Sequence, residues 1–139
     1  MLVEQGVIRL RTKLSFPEKL RRIYESVLQV VDRCHPDQMV VENMFHATNV
    51  KSALKLGHVR GVLVLAGVMR GMPVHEYAPL EVKQAVVGYG RADKFQVQKM
   101  VAILLALEEP PESHDAADAL AVAICHANQL RFAEKVPSS

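Results

Sequence analysis

With 139 residues, half of them hydrophobic and 23% charged, the chain has the size and composition of one globular domain around one core. No tryptophan and few other aromatics exclude an extended base-stacking platform for single strands, and two lone cysteines, Cys34 and Cys125, exclude a disulfide framework. A net charge of +2 permits nucleic-acid binding without arguing for it. No apolar run is expected to reach membrane-spanning length, because Lys51, Lys55, His58 and Arg60 interrupt the most apolar stretch and Arg70 follows it. No basic-then-apolar signal segment opens the sequence, so the expected location is cytoplasmic.

Taken in order, Val7 to Leu10 alternate apolar and basic residues and predict a strand. Ser15-Phe16-Pro17-Glu18 is a capping box with proline in the first turn. The helix it opens carries Leu20, Ile23, Tyr24, Val27, Val30 and Val31 on one face, and Pro36 stops it. Met39-Val40-Val41-Glu42 predicts a short strand buried on both faces, with Glu42 at its carboxyl end, where open α/β sheets place ligands. A buried carboxylate needs a partner, a proton or a cation; the plainer alternative is that Glu42 ends the strand in solvent.

A long helix is predicted from about Asn49 to Arg70. Ala53, Gly57 and Gly61 lie four apart on one ridge, so another backbone can approach closely there. That neighbour is either the domain's own sheet or a second subunit. Pro73 to Tyr77 predicts a strand and Pro79 to Val87 a helix. Gly88-Tyr89-Gly90, beside Lys83, Arg91 and Lys94, makes a turn whose amides and cations could hold phosphate, although a solvated turn explains any one lysine as well. Asp93 caps the next helix, which carries Val97, Met100, Val101 and Leu104. The last helix starts near Ser113 or His114 and is expected to end near Leu130. One domain over residues 1–130 and a frayed tail over 131–139 follow. Alternating strands and helices indicate an α/β fold.

Asp115 and Asp118 are three apart on the first turn of that last helix, and His114 shares the edge of Asp118. Helix amino ends favour anions, yet two adjacent carboxylates repel. Either they serve as caps, or they meet a divalent cation. With Glu42 added, the oxygen-rich set suits Mg²⁺ or Mn²⁺ better than zinc, and such a site can split a phosphodiester.

These residues resemble the RuvC family of Holliday-junction resolvases, over nearly the whole chain from Gly6 to about His126. The resemblance rests on Val41-Glu42-Asn43-Met44-Phe45, Ser52-Ala53-Leu54-Lys55-Leu56-Gly57 with Arg60-Gly61, Val82-Lys83-Gln84 with Val86-Val87-Gly88, and His114-Asp115-Ala116-Ala117-Asp118-Ala119-Leu120-Ala121, in the family's order and separations. It implies a ribonuclease-H-like mixed sheet flanked by helices. It also implies a metal-dependent homodimeric endonuclease that nicks two strands of a four-way DNA junction, leaving 5′-phosphate and 3′-hydroxyl ends. Glu42, Asp115 and Asp118 match family metal-binding carboxylates, for Mg²⁺ with Mn²⁺ as an alternative, two ions in the complete site. His114 matches a position next to the carboxylate pair and receives no firm role. Phe45 matches an aromatic that wedges against bases near the junction centre, and Lys83 and Lys94 match basic residues near the scissile phosphate. Ala53, Gly57 and Gly61 match the dimer helix. Family partners are the branch-migration proteins RuvA and RuvB.

The sequence departs from the family in having no Gly-Ile-Asp-Pro-Gly segment, whose aspartate bridges the metals; three of four acidic ligands remain, and none of Glu4, Asp32 or Asp37 carries that motif around it. The expectation is a fold shortened at its amino end relative to the working protein. The alternative function is a junction-binding or dimerising protein without catalysis, or a decayed fragment.

Overall fold

The computed structural model describes residues 1–43, 49–88 and 92–135. The chain forms two compact units, one of Ile8–Glu76 and the other of Met1–Val7 with the residues from Tyr77 onward.

In the first unit, α1 (Phe16–Cys34) begins where the Ser15 hydroxyl accepts the Glu18 N–H at 3.3 Å, with Pro17 in its first turn. It ends at His35, whose left-handed backbone (φ 50°) lets its N–H reach the Val31 carbonyl. Ile23 and Val31 are buried, whereas Val30 is exposed. Next comes β1 (Met39–Glu42), then α2 (Val50–Met69), capped by the Asn49 side chain on the Ser52 N–H at 2.9 Å. β2 (Val74–Tyr77) follows and pairs with β1 in a two-stranded sheet. The Met39 N–H bonds the Pro73 carbonyl, so the two strands start side by side and run parallel, as a helical crossover requires. Arg70, just past α2, holds Asp32 of α1 through two bonds of 2.9 and 3.2 Å, which pushes the Asp32 carboxyl below its usual range. Arg60 of α2 pairs with Glu76 of β2.

α2 has two unlike faces. At Gly67 a Cβ would stand 2.8 Å from Val74 Cγ2 and 2.9 Å from Met39 Sδ, so the helix lies directly on the sheet there. At Gly57 and Gly61 a Cβ would meet nothing within 4 Å. Those two glycines share a ridge with exposed Val50, Leu54, Leu65 and Val68. The domain's own sheet is therefore not what the small residues approach. Contrary to the expectation from sequence, α2 is long and apolar enough to cross a membrane by length and composition; the same apolar content is what a helix covered by protein needs.

In the second unit, α3 (Pro79–Val87) ends at Gly88 with φ 99°, and α4 (Lys94–Leu104) opens at a complete capping box of Asp93 and Gln96. α5 (His114–Lys135) starts at Ser113, whose hydroxyl accepts the Ala116 N–H at 3.1 Å. α3 and α4 both pack on α5, burying Val82, Val86, Val97, Val101, Ala117 and Ala121.

Two expectations are corrected. Residues 7–10 form no strand: Ile8 is exposed, and alternation makes a strand only where a neighbour supplies the ladder. The last helix runs through Lys135, beyond Leu130 and into the stretch expected to fray.

Candidate active site

The second unit gathers the charged residues that the sequence singles out. Asp115 and Asp118 lie on the first turn of α5, Lys83 on α3, and Lys94 is the first residue of α4. Asp118 is half-buried, and its carboxyl is held above its usual range, first by burial and then by the charge of Asp115. Lys94, His114 and Lys83 act the other way, so all three stand close enough for their charges to be felt there. His114 meets the edge of Phe95 at a ring separation of 5.6 Å. Because the Ser113 hydroxyl performs the cap of α5, capping is not what the two aspartates are needed for.

Asp115 and Asp118 have the chemistry of a hard-cation site. Mg²⁺ commonly takes one or two carboxylates and completes its shell with water and substrate phosphate, and a cation would relieve the repulsion that raises Asp118. Among the described residues, no three His, Cys, Asp or Glu side chains close on one point.

Glu42 is the last residue of β1 in the other unit, as expected; it is half-buried and not without a partner. Phe45, Tyr89, Gly90 and Arg91 lie outside the described residues, so the aromatic wedge and most of the expected phosphate turn do too. Ala53, Gly57 and Gly61 are exposed on α2. Sequence reasoning missed Phe95, the exposed aromatic against His114; its only signal was its place beside Lys94 in a capped first turn.

Residues 1–126 match the family model described as crossover junction endodeoxyribonuclease RuvC. The chain is 46% identical over 134 residues to such an enzyme of Halothermothrix orenii, covering 96% of this chain and 81% of the relative. It is 52% identical over 126 residues to one of Geobacter sulfurreducens, covering 91% and 76%. The structure of Thermus thermophilus RuvC in complex with a Holliday junction substrate superposes with a TM-score of 0.88 at 35% identity, over 94% of this chain and 79% of that one. The fold is thus the expected ribonuclease-H-like α/β fold. Sequence, fold and a carboxylate pair flanked by lysines agree, and the chain belongs to the RuvC family of crossover junction endodeoxyribonucleases.

Proposed function

We propose that this chain is a metal-dependent endonuclease that resolves four-way DNA junctions by paired nicking during recombination and repair. The observation that carries the proposal is the convergence of Lys83, Lys94, His114, Asp115 and Asp118 from three helices of one unit. Asp115 and Asp118 are the residues of this unit that would hold Mg²⁺ or Mn²⁺, and the family resemblance adds Glu42 to the metal-binding carboxylates and two ions to the complete site. A cation held by these carboxylates would supply activation of water and stabilisation of the leaving oxygen. Lys83 and Lys94 bind the scissile phosphate and balance the charge that develops on its oxygens. Phe45 wedges between bases at the junction centre.

The open ridge of α2 supports a homodimer. Ala53, Gly57 and Gly61 let a second copy's backbone come close, and Val50, Leu54, Leu65 and Val68 supply apolar area around them. A two-fold dimer presents two equivalent sites to a junction with two equivalent strands. The working location is the cytoplasm, and the partners are RuvA and RuvB.

The test is a synthetic four-way junction incubated with the protein in Mg²⁺ or EDTA, beside linear duplex and an RNA–DNA hybrid. Metal-dependent cutting confined to the junction is the expected result. A junction that is shifted in a gel but uncut in Mg²⁺ would replace the enzyme with a non-catalytic junction binder. Cutting of the hybrid or the duplex in preference would replace the substrate.

A further inference from the structure

Phe95 holds its ring in the open. It is 73% exposed, is the second residue of α4, and directly follows Lys94. Its ring meets that of His114 at 5.6 Å, with 82° between the two planes. His114 is the residue before Asp115, so this contact sets Phe95 at the border of the carboxylate pair. A perpendicular contact of this kind covers at most one face of a ring. The other face of Phe95 is therefore free.

Phe95 also lines a groove of about 400 Å³ that follows α4 past Lys99, Ala102 and Ile103 to Pro110. A cleft of that size accommodates a small-molecule-sized group. The fold holds the groove's far wall in place: Gln98 Nε2 donates to the Pro111 carbonyl at 3.3 Å, and the Leu107 N–H to the Ala102 carbonyl at 2.9 Å. Charge differs between its two ends. Lys94 and Lys99 flank Phe95 along α4, whereas Glu108 and Glu109 sit between Leu107 and Pro110 at the other end. A polyanion is thus favoured at the Phe95 end alone.

A lone exposed apolar side chain is ordinary. Phe95 differs in being aromatic, flanked by two cations, and in contact with the neighbour of a carboxylate pair. A free π-face between cations matches a nucleobase between its phosphates. One ring is not the extended platform that the composition excludes. In a duplex both faces of a base are covered by its neighbours, so the base that reaches Phe95 is an unpaired one.

We propose that Phe95 is a substrate-binding residue: an unpaired nucleobase beside the phosphate to be cut stacks on its ring, with Lys94 and Lys99 on the flanking phosphates. The proposal rests on the nuclease reading above and extends that site by one nucleotide.

The experiment uses the full chain and a set of synthetic four-way junctions. One junction is intact, and each of the others lacks a single base at one of successive positions around the point of strand exchange. Single-turnover cleavage in Mg²⁺ over a range of protein concentrations gives the half-saturating concentration and the maximal rate separately. Gel shifts in EDTA give affinity without cutting. On the intact junction Phe95→Ala should raise the half-saturating concentration about tenfold. Phe95→Leu, which keeps apolar bulk without a π-face, should behave like the alanine variant, and Phe95→Trp should stay within about twofold of the unaltered protein. On one abasic junction Phe95→Ala should lose nothing further, while at the other positions its loss persists. The loss should also persist in a His114→Ala background. An unaltered half-saturating concentration in Phe95→Ala, an equal loss at every abasic position, or full recovery by Phe95→Leu would overturn the proposal. So would disappearance of the loss in the His114→Ala background, which would make Phe95 a prop for the imidazole. If the unaltered protein binds junctions but cuts none in Mg²⁺, the nuclease reading fails, and the gel shifts decide the stacking by the same comparison. Binding to no junction would overturn both.

Discussion

Asp118 is the residue on which the site's electrostatics turn. Burial and the neighbouring Asp115 charge raise its folded-state pKa above its unfolded value, so the fold favours the protonated form. The stability this gives is fully present below the unfolded pKa and is lost as pH rises through the raised folded value. Near neutral pH the ionised group therefore weakens the fold. Asp118→Asn should raise the metal-free Tm at pH 7 by a few degrees, with the gain shrinking as pH falls toward the ordinary carboxylate range near about 3.9. The same variant should cut no junction while still binding one, as should Glu42→Gln. Thermal melts at two pH values and a paired gel-shift and cleavage assay check this. Equal Tm across pH would show that Asp118 is not strained, and continued cutting by both variants would remove the carboxylates from the metal site. Lys83→Ala should slow cleavage by about 10²-fold, the usual loss when a donor to developing oxyanion charge is removed; an unchanged single-turnover rate would remove Lys83 from the phosphate.

At the scale of an element, α2 shows how one residue type does opposite things on opposite faces. Gly67 lies on the sheet, and Gly67→Ala pushes a methyl into Val74 and Met39; about 1–3 kcal/mol of lost stability is expected. Gly57 faces open space, and Gly57→Ala should stabilise the isolated subunit by about 0.5–1 kcal/mol through helix propensity while weakening self-association. Urea unfolding of dilute protein and sedimentation of concentrated protein separate the two effects. Sequence could mark the ridge but not say what approaches it, because spacing carries no information on which face the sheet occupies. Helix starts were legible at Ser15, Asn49, Asp93 and Ser113, since a cap is a local contact over three residues. The strand expected at residues 7–10 was not legible: alternation describes the segment, whereas a strand also needs a neighbour. The hydrogen bond between Tyr77 and His126 spans 49 residues, and nothing local to either residue announces it.

For the molecule as a whole, a net charge of +2 understates its fitness for a polyanion, because a few cations are concentrated beside one carboxylate pair. Carboxylates so placed repel DNA phosphates unless a cation joins them, so junction affinity as well as cutting should rise with Mg²⁺. Junction affinity should fall steeply with salt, and Lys83→Ala and Lys94→Ala should each lower the slope of log affinity against log salt by roughly 0.9. A slope that neither variant changes would place the phosphate contacts elsewhere. Sequence and family resemblance proposed the cast of that site. What they did not supply is its electrical balance, because the burial of Asp118 and the nearness of Lys83 and Lys94 exist only once three helices pack.

Lys94 opens α4, the end of a helix where a cation is disfavoured, and no acidic residue shares that first turn. Lys94→Glu would suit that helix end better than the native residue does, but it would also set a third like charge beside Asp115 and Asp118, whose repulsion the lysine now offsets. Helix preference and the balance of the carboxylate pair therefore pull this one position in opposite directions, and a search for hardier variants guided by helix rules alone would be misled there.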